Sequence, residues 1–293
     1  MSILIVIILS IYVSTSNLSS PAVIYLILSY AYFLVFHGSR DCRTQTAALN
    51  LKDLLIAKYQ PKNILTQHNY LEKNHFGFAS KLASSSIVVS QNQSPLIDIA
   101  ALELAPRPLS DSLIDFASKA KERGLLHIKV IPLFLAPGVH VSSDIPAEID
   151  LALAQLDNQV TIKLSPFFGK YSGIETLLAQ KFAEFPAQKR ILIAHGSRLP
   201  AVSEYYQNLA AKLNADVGYW STEPKFTEQI QTCIDLGTKQ IALLPYFLFP
   251  GKITKAIAAK IAELQHQYPQ VELMQAQPLG ATQAVADLIA QEI

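Results

Sequence analysis

The chain has 293 residues, enough for two ordinary domains that each bury a core. It is 50% hydrophobic and 16% charged, and its 24 Lys and Arg nearly balance 23 Asp and Glu. That balance argues against a nucleic-acid partner or a strongly acidic one. Two cysteines, Cys42 and Cys233, stand far apart in no C-x-x-C pattern. They signal neither a zinc site nor an iron–sulfur cluster, and two free thiols suit a reducing cytoplasm.

No charged side chain precedes Arg40. Residues 3–13 and 22–36 are apolar and flank a polar stretch at 14–21. Neither run reaches the ~20 residues of a usual membrane-spanning helix. A secretory signal would need a basic n-region, which is missing. Residues 1–30 are read as a tail compatible with three states: dispensable, a short membrane-associated anchor, or an extra packed helix.

From there the chain alternates short apolar runs with amphipathic stretches. Strands are expected at Tyr32–Phe36, Leu96–Leu102, His127–Leu133 and Val160–Leu164. A second set follows at Arg190–Ala194, Asp216–Trp220, Gln240–Pro245 and Val271–Met274. Helical periodicity fills the intervals, as at Leu109–Arg123, Glu204–Asn214 and Ile253–Gln267, which predicts β-α units and mainly parallel sheets. The expected domains are 31–185 and 186–293. An inserted loop lies near 59–94, rich in Asn, Gln, Ser and Lys, whose His68 and His75 read as solvated loop histidines.

The two sets repeat one another in residues as well as in order. Phe36-His37-Gly38-Ser39-Arg40 recurs as Ala194-His195-Gly196-Ser197-Arg198, each directly after a strand. Pro132-Leu-Phe-Leu-Ala-Pro-Gly138 recurs as Pro245-Tyr-Phe-Leu-Phe-Pro-Gly251. Between them, Glu103 and Glu223 are read as occupying comparable places after the second strand of each half. Val139 and His140 of the first half become Lys252 and Ile253 in the second, so the later histidine is lost there.

In an open parallel sheet the loops at the carboxyl ends of the strands form the ligand crevice, so His37, Glu103 and His140 are placed to converge. Two imidazoles and a carboxylate with open positions suit a divalent ion such as Fe, Co, Ni or Zn, held without being caged. Structural alternatives stand beside this reading. His37 could be a hydrogen-bonded structural histidine, Gly38 and Gly196 could serve only a tight turn, and Ser39 and Ser197 could cap the next helix. Glu103 could be a solvated carboxylate. A phosphate- or nucleotide-binding module at the His-Gly-Ser-Arg turn lacks the glycine spacing of a P-loop or dinucleotide fingerprint.

Taken jointly, His-Gly-Ser-Arg-Asp at 37–41, Leu102-Glu103-Leu-Ala-Pro106 and the run from Pro132 to Pro146 that carries His140 resemble the sirohydrochlorin cobaltochelatase/ferrochelatase family in its long, two-domain form. The resemblance runs from about residue 31 to the C-terminus. It implies a class II chelatase fold of two tandem flavodoxin-like α/β domains facing across a cleft. It also implies a lyase that inserts Co2+ or Fe2+ into sirohydrochlorin, with the metal as substrate and no organic cofactor. His37 and His140 match the family's catalytic, metal-binding histidines and Glu103 its acidic partner. Ser39, Arg40 and Gly138 are expected to meet the carboxylates of the tetrapyrrole. His195 and Glu223 keep at most a secondary role, which makes one active site the expectation. A non-catalytic metal or tetrapyrrole carrier with the same ligands is the competing reading. Iron would place the protein in siroheme synthesis and cobalt in cobalamin synthesis.

Overall fold

The computed structural model describes residues 30–59, 94–157 and 159–293. The apolar tail before Tyr30 and nearly all of the 59–94 segment, with His68 and His75, lie outside the described residues. In the first half the order is β1 (Tyr30–Phe36), α1 (Cys42–Lys58), β2 (Ile97–Ala101), α2 (Leu109–Glu122), β3 (His127–Pro132), α3 (Ile145–Gln155), β4 (Thr161–Leu164) and α4 (Ile174–Ala183). The second half has β5 (Lys189–Ala194), α5 (Pro200–Lys212), β6 (Asp216–Tyr219), α6 (Phe226–Asp235), β7 (Gln240–Pro245), α7 (Lys252–Gln267), β8 (Glu272–Gln275) and α8 (Gln283–Ile289). Each expected strand is present, with ends shifted by at most two residues. Helix α5 begins at Pro200, ahead of the expected Glu204, because proline fits a first helical position where no N–H is needed.

The strands form two four-stranded parallel sheets, ordered β2-β1-β3-β4 and β6-β5-β7-β8. This is the start of the flavodoxin-like order, given twice in tandem. β1 is continuously apolar because both its faces are covered. Ala31, Phe33 and Val35 pack with Leu113 and Phe116 of α2 and Ile149 of α3. Tyr32, Leu34 and Phe36 point the other way, toward Leu51 and Leu55 of α1. The second sheet divides in the same manner, with Ile191, Ile193 and Leu243 facing α6 and α7.

The inward faces of both sheets share one core, built from α1, α4, α5 and α8. α4 leaves the first sheet yet touches β7 of the second, and α8 packs against α1. The last residues are tied to the first half by polar contacts: the Tyr32 hydroxyl donates to the Ile293 carbonyl at 2.7 Å and Lys129 pairs with Glu292 at 3.2 Å. Burial pushes the Tyr32 phenol up to about 12.

At the carboxyl ends of the sheets the halves are latched by tyrosines. The Tyr246 hydroxyl donates to the Leu135 carbonyl at 3.1 Å, and the Tyr205 hydroxyl donates to the Gly169 carbonyl at 2.6 Å. Burial raises both phenols, so they remain proton donors. Thr44, at the start of α1, donates to the Pro250 carbonyl across the same junction at 3.0 Å. These bonds hold the loops after β1, β3 and β7 around a common cleft. No helix among the described residues is long and apolar enough to cross a membrane.

Candidate metal-binding and catalytic site

In the first sheet the chain leaves β1 toward β2 on one side and leaves β3 toward β4 on the other. The crevice between β1 and β3 is therefore the topological switch point, where α/β sheets place their ligands. His37 follows β1 directly. His140 opens a π-helical turn, His140–Asp144, that leads into α3. Such turns are frequent at functional sites.

Glu103 reaches His37 because the strand pairing continues past β2. The Leu102 N–H donates to the Phe36 carbonyl at 2.8 Å and the Glu103 N–H to the His37 carbonyl at 2.9 Å. Gly38 makes this approach available. Its φ is +98°, and a Cβ there would lie 1.9 Å from the Glu103 carbonyl oxygen.

One donor atom from each of His37, Glu103 and His140 lies within 4.8 Å of the others, and this is the one such cluster among the described residues. His37 Nε2 stands 3.9 Å from Glu103 Oε2, and His140 Nδ1 stands 3.8 Å from Glu103 Oε1. The imidazole rings meet edge-on at 4.8 Å between centroids, with Phe134 tilted against both. His37 directs Nδ1 to the Gly38 carbonyl at 3.1 Å, so this nitrogen carries the proton and Nε2 is left as an acceptor. His140 directs Nδ1 to Asp144 Oδ2 at 2.7 Å, which leaves its Nε2 free in the same way.

The side chains of His37 and Glu103 are about half exposed, at 53% and 48%, and His140 is 30% exposed. The cluster is thus an open, three-donor face that a hydrated divalent ion can approach and leave. It borders a cleft of about 670 Å³ lined by both halves, with apolar walls that include Phe134, Val139, Phe247 and Phe249.

The other expected residues divide. Ser39 and Gly138 line the cleft, but Arg40 is exposed and lies outside its lining. The cap of α1 is Asp41 and not Ser39: the Asp41 carboxylate accepts the Arg43 N–H, while Ser39 Oγ accepts the Asp41 N–H at 3.0 Å. Ser197 likewise accepts the N–H of Leu199, the residue at the cap position of α5, at 3.1 Å. Each serine stabilises the turn before the helix.

The proposed equivalence of Glu103 and Glu223 is corrected by the backbone. The bond matching Glu103 N–H to His37 is Ser221 N–H to the His195 carbonyl, at 2.8 Å, so Ser221 stands where Glu103 stands. Glu223 folds back onto its own loop, accepting the Lys225 N–H at 3.0 Å, and is not in the cleft lining. His195 does line the cleft, with Nδ1 on the Gly196 carbonyl at 3.0 Å in the pose of His37. Ile253 also lines it, in the place of His140.

The model of the CbiX family matches residues 79–185 and again 189–293, one copy in each half. The chain belongs to the CbiX family. A sirohydrochlorin cobaltochelatase of Priestia megaterium is 28% identical over 165 residues, covering 51% of this chain and 54% of that relative. The chain thus spans about half the length of that cobaltochelatase. A sirohydrochlorin ferrochelatase of the same organism is 24% identical over 212 residues, covering 68% of this chain and 77% of its own. Among solved structures, SirB from Bacillus subtilis with Fe3+ is 19% identical with a TM-score of 0.64, covering 89% of this chain and 93% of that one. The sirohydrochlorin chelatase SirB in complex with cobalt, from Bacillus subtilis subspecies spizizenii, gives 0.63 at 19% identity, covering 90% and 93%. At this identity the likeness establishes the CbiX-family fold alone.

Asp144 is the functional candidate that the sequence reading missed. It sits four residues after His140, the spacing that brings side chains together on one helical face. A carboxylate bonded to Nδ1 of the imidazole fixes its tautomer and leaves the other nitrogen, Nε2, to take the ion. Asp144→Asn should therefore weaken Co2+ binding about tenfold by titration of the purified protein. Unchanged affinity would reduce the contact to a surface ion pair.

Proposed function

We propose that this chain is a sirohydrochlorin chelatase, a lyase that inserts Co2+ or Fe2+ into the macrocycle with release of two protons. The observation that carries this reading is the convergence of His37, Glu103 and His140 in one open cluster, with both histidines lining a large apolar cleft, in a chain whose curated relatives are named for this reaction.

The chemistry asks for three things. An ion must be partly stripped of water, handed to four ring nitrogens, and exchanged for two N–H protons. A three-donor site with open positions does the first without caging the ion, which is itself the substrate. The free Nε2 atoms of His37 and His140 can then accept protons, the general-base role that imidazole nitrogens commonly fill. Glu103, within 4 Å of both rings, balances the positive charge that protonated imidazoles or the arriving ion bring. Ligation and proton transfer suffice, so no organic cofactor is required. The slot between the apolar walls takes the flat ring, and Ser39 and the backbone around Gly138 lie where its polar rim would reach.

A carrier would use the same donors but would not turn over. With sub-stoichiometric protein, anaerobic sirohydrochlorin and either Co2+ or Fe2+, absorbance should report many metallated products per protein. A plateau at one product per protein, with both metals, would establish the carrier.

A further inference from the structure

The two walls of the cleft carry different chemistry. The first-half wall holds His37 and His140, whereas the wall across from it replaces Val139 and His140 with Lys252 and Ile253. Among the described residues, Lys252 is the only Lys, Arg, Asp or Glu in the cleft lining. Among the described residues no other lysine or arginine lines it.

Nor is Lys252 committed elsewhere. It takes part in no ion pair among the described residues. The carboxylate that feels its charge, Asp41, is held by Arg43 at 2.6 Å and spent on capping α1. Asp41 is drawn down to about 2 chiefly by its hydrogen bond from Arg43, with Lys252 a smaller contributor. The Lys252 side chain is exposed, at the first position of α7, and its flexible stem can reach along an apolar wall while the ammonium stays at the rim. Arg40, the expected cation, is outside the lining.

An apolar slot with one fixed positive charge at its edge selects a flat, apolar ring with an anionic rim. We propose that Lys252 is the carboxylate-recognition residue of this cleft, pairing with one peripheral carboxylate of the tetrapyrrole and thereby setting how the ring is rotated before His37, Glu103 and His140. This rests on the chelatase reading above and assigns the second half a task of its own. The first half handles the ion, and the second half holds the ring.

The test uses the full chain and sirohydrochlorin as the probe, with binding read by fluorescence in the absence of metal and KM read in the insertion assay. Lys252→Gln should raise both Kd and KM roughly tenfold, the usual worth of one charge-assisted hydrogen bond, and Lys252→Glu should raise them further. Lys252→Arg should recover most of the loss. Lys255→Glu makes the same change of charge one turn along α7, outside the cleft lining, and should leave both constants near wild type. Co2+ affinity of the tetrapyrrole-free protein should be the same in all four variants, which also reports that they are folded. A Kd for Lys252→Glu within about twofold of wild type would overturn the assignment. So would an equal loss in Lys255→Glu, which would mean a diffuse field and not a contact. Failure of the wild-type chain to bind sirohydrochlorin at all would instead overturn the chelatase reading, and this assignment with it.

Discussion

His140→Ala should lower kcat/KM for metal insertion by about two to three orders of magnitude, and His195→Ala by less than about tenfold. The two histidines lie in the same cleft, so proximity to the substrate does not separate them. Their partners do. His140 has Glu103 at 3.8 Å, the His37 ring at 4.8 Å and Asp144 on its Nδ1 at 2.7 Å. Its removal takes away one of three donors and one of two free imidazole acceptors in a single step. His195 keeps only Ser221 and Ile253 where the other site has an acid and a second imidazole. A lone imidazole can touch a ring or an ion but cannot build a coordination set. The check is a pair of measurements on each variant: single-turnover insertion and Co2+ titration without tetrapyrrole. His140→Ala should lose in both, and His195→Ala should keep its Co2+ affinity. Equal losses for the two variants would mean two cooperating sites and would end the one-site account.

The difference between those histidines was visible in the sequence, and the reason is the duplication. Two copies of Pro-x-x-x-x-Pro-Gly gave an internal ruler, against which the missing second histidine could be read directly. The same ruler failed for Glu223. Counting from the end of a strand says which loop a residue is in but not which carbonyl its backbone meets, and that pairing puts Ser221 beside His195. Sequence likewise did not show that Lys252 lines the cleft while Arg40 lies outside its lining. Sequence places a charge near a strand end, but the direction of its side chain follows from the turn, and the turn at Gly38 leaves Arg40 out of the cleft lining. The shared core was also hidden. The apolar stripes on α1, α4, α5 and α8 announce buried faces, but a stripe does not name its partner, and here the partners are in the other half of the chain.

Gly38→Ala should destabilise the fold by about 3–5 kcal/mol and abolish most activity, although the change adds a single methyl group. Two costs combine. The φ of +98° is a conformation that an L side chain adopts only at a cost of roughly 1–2 kcal/mol. The added Cβ would also stand 1.9 Å from the Glu103 carbonyl oxygen, a backbone atom that cannot swing aside as a side chain would. Relief requires the Glu103 backbone to move away from His37, which breaks the 2.9 Å bond that holds the two proposed ligands side by side. Two further glycines separate these terms. Gly124, with φ +71° and nothing within 4 Å of its Cβ position, bears the strain without the collision, so its alanine variant should lose only about 1–2 kcal/mol and keep its activity. Gly196, with φ +89°, would meet the Thr222 hydroxyl at 2.4 Å, and that side chain can rotate. Its alanine variant should fall between the two in stability while retaining most insertion activity, because no ligand pair depends on that turn. Urea midpoints ordered Gly124→Ala above Gly196→Ala above Gly38→Ala, with activity lost only in the last, would tie the metal site to the crossing of two backbones. An active Gly38→Ala protein would show that Glu103 need not be held against His37 for the chemistry to run.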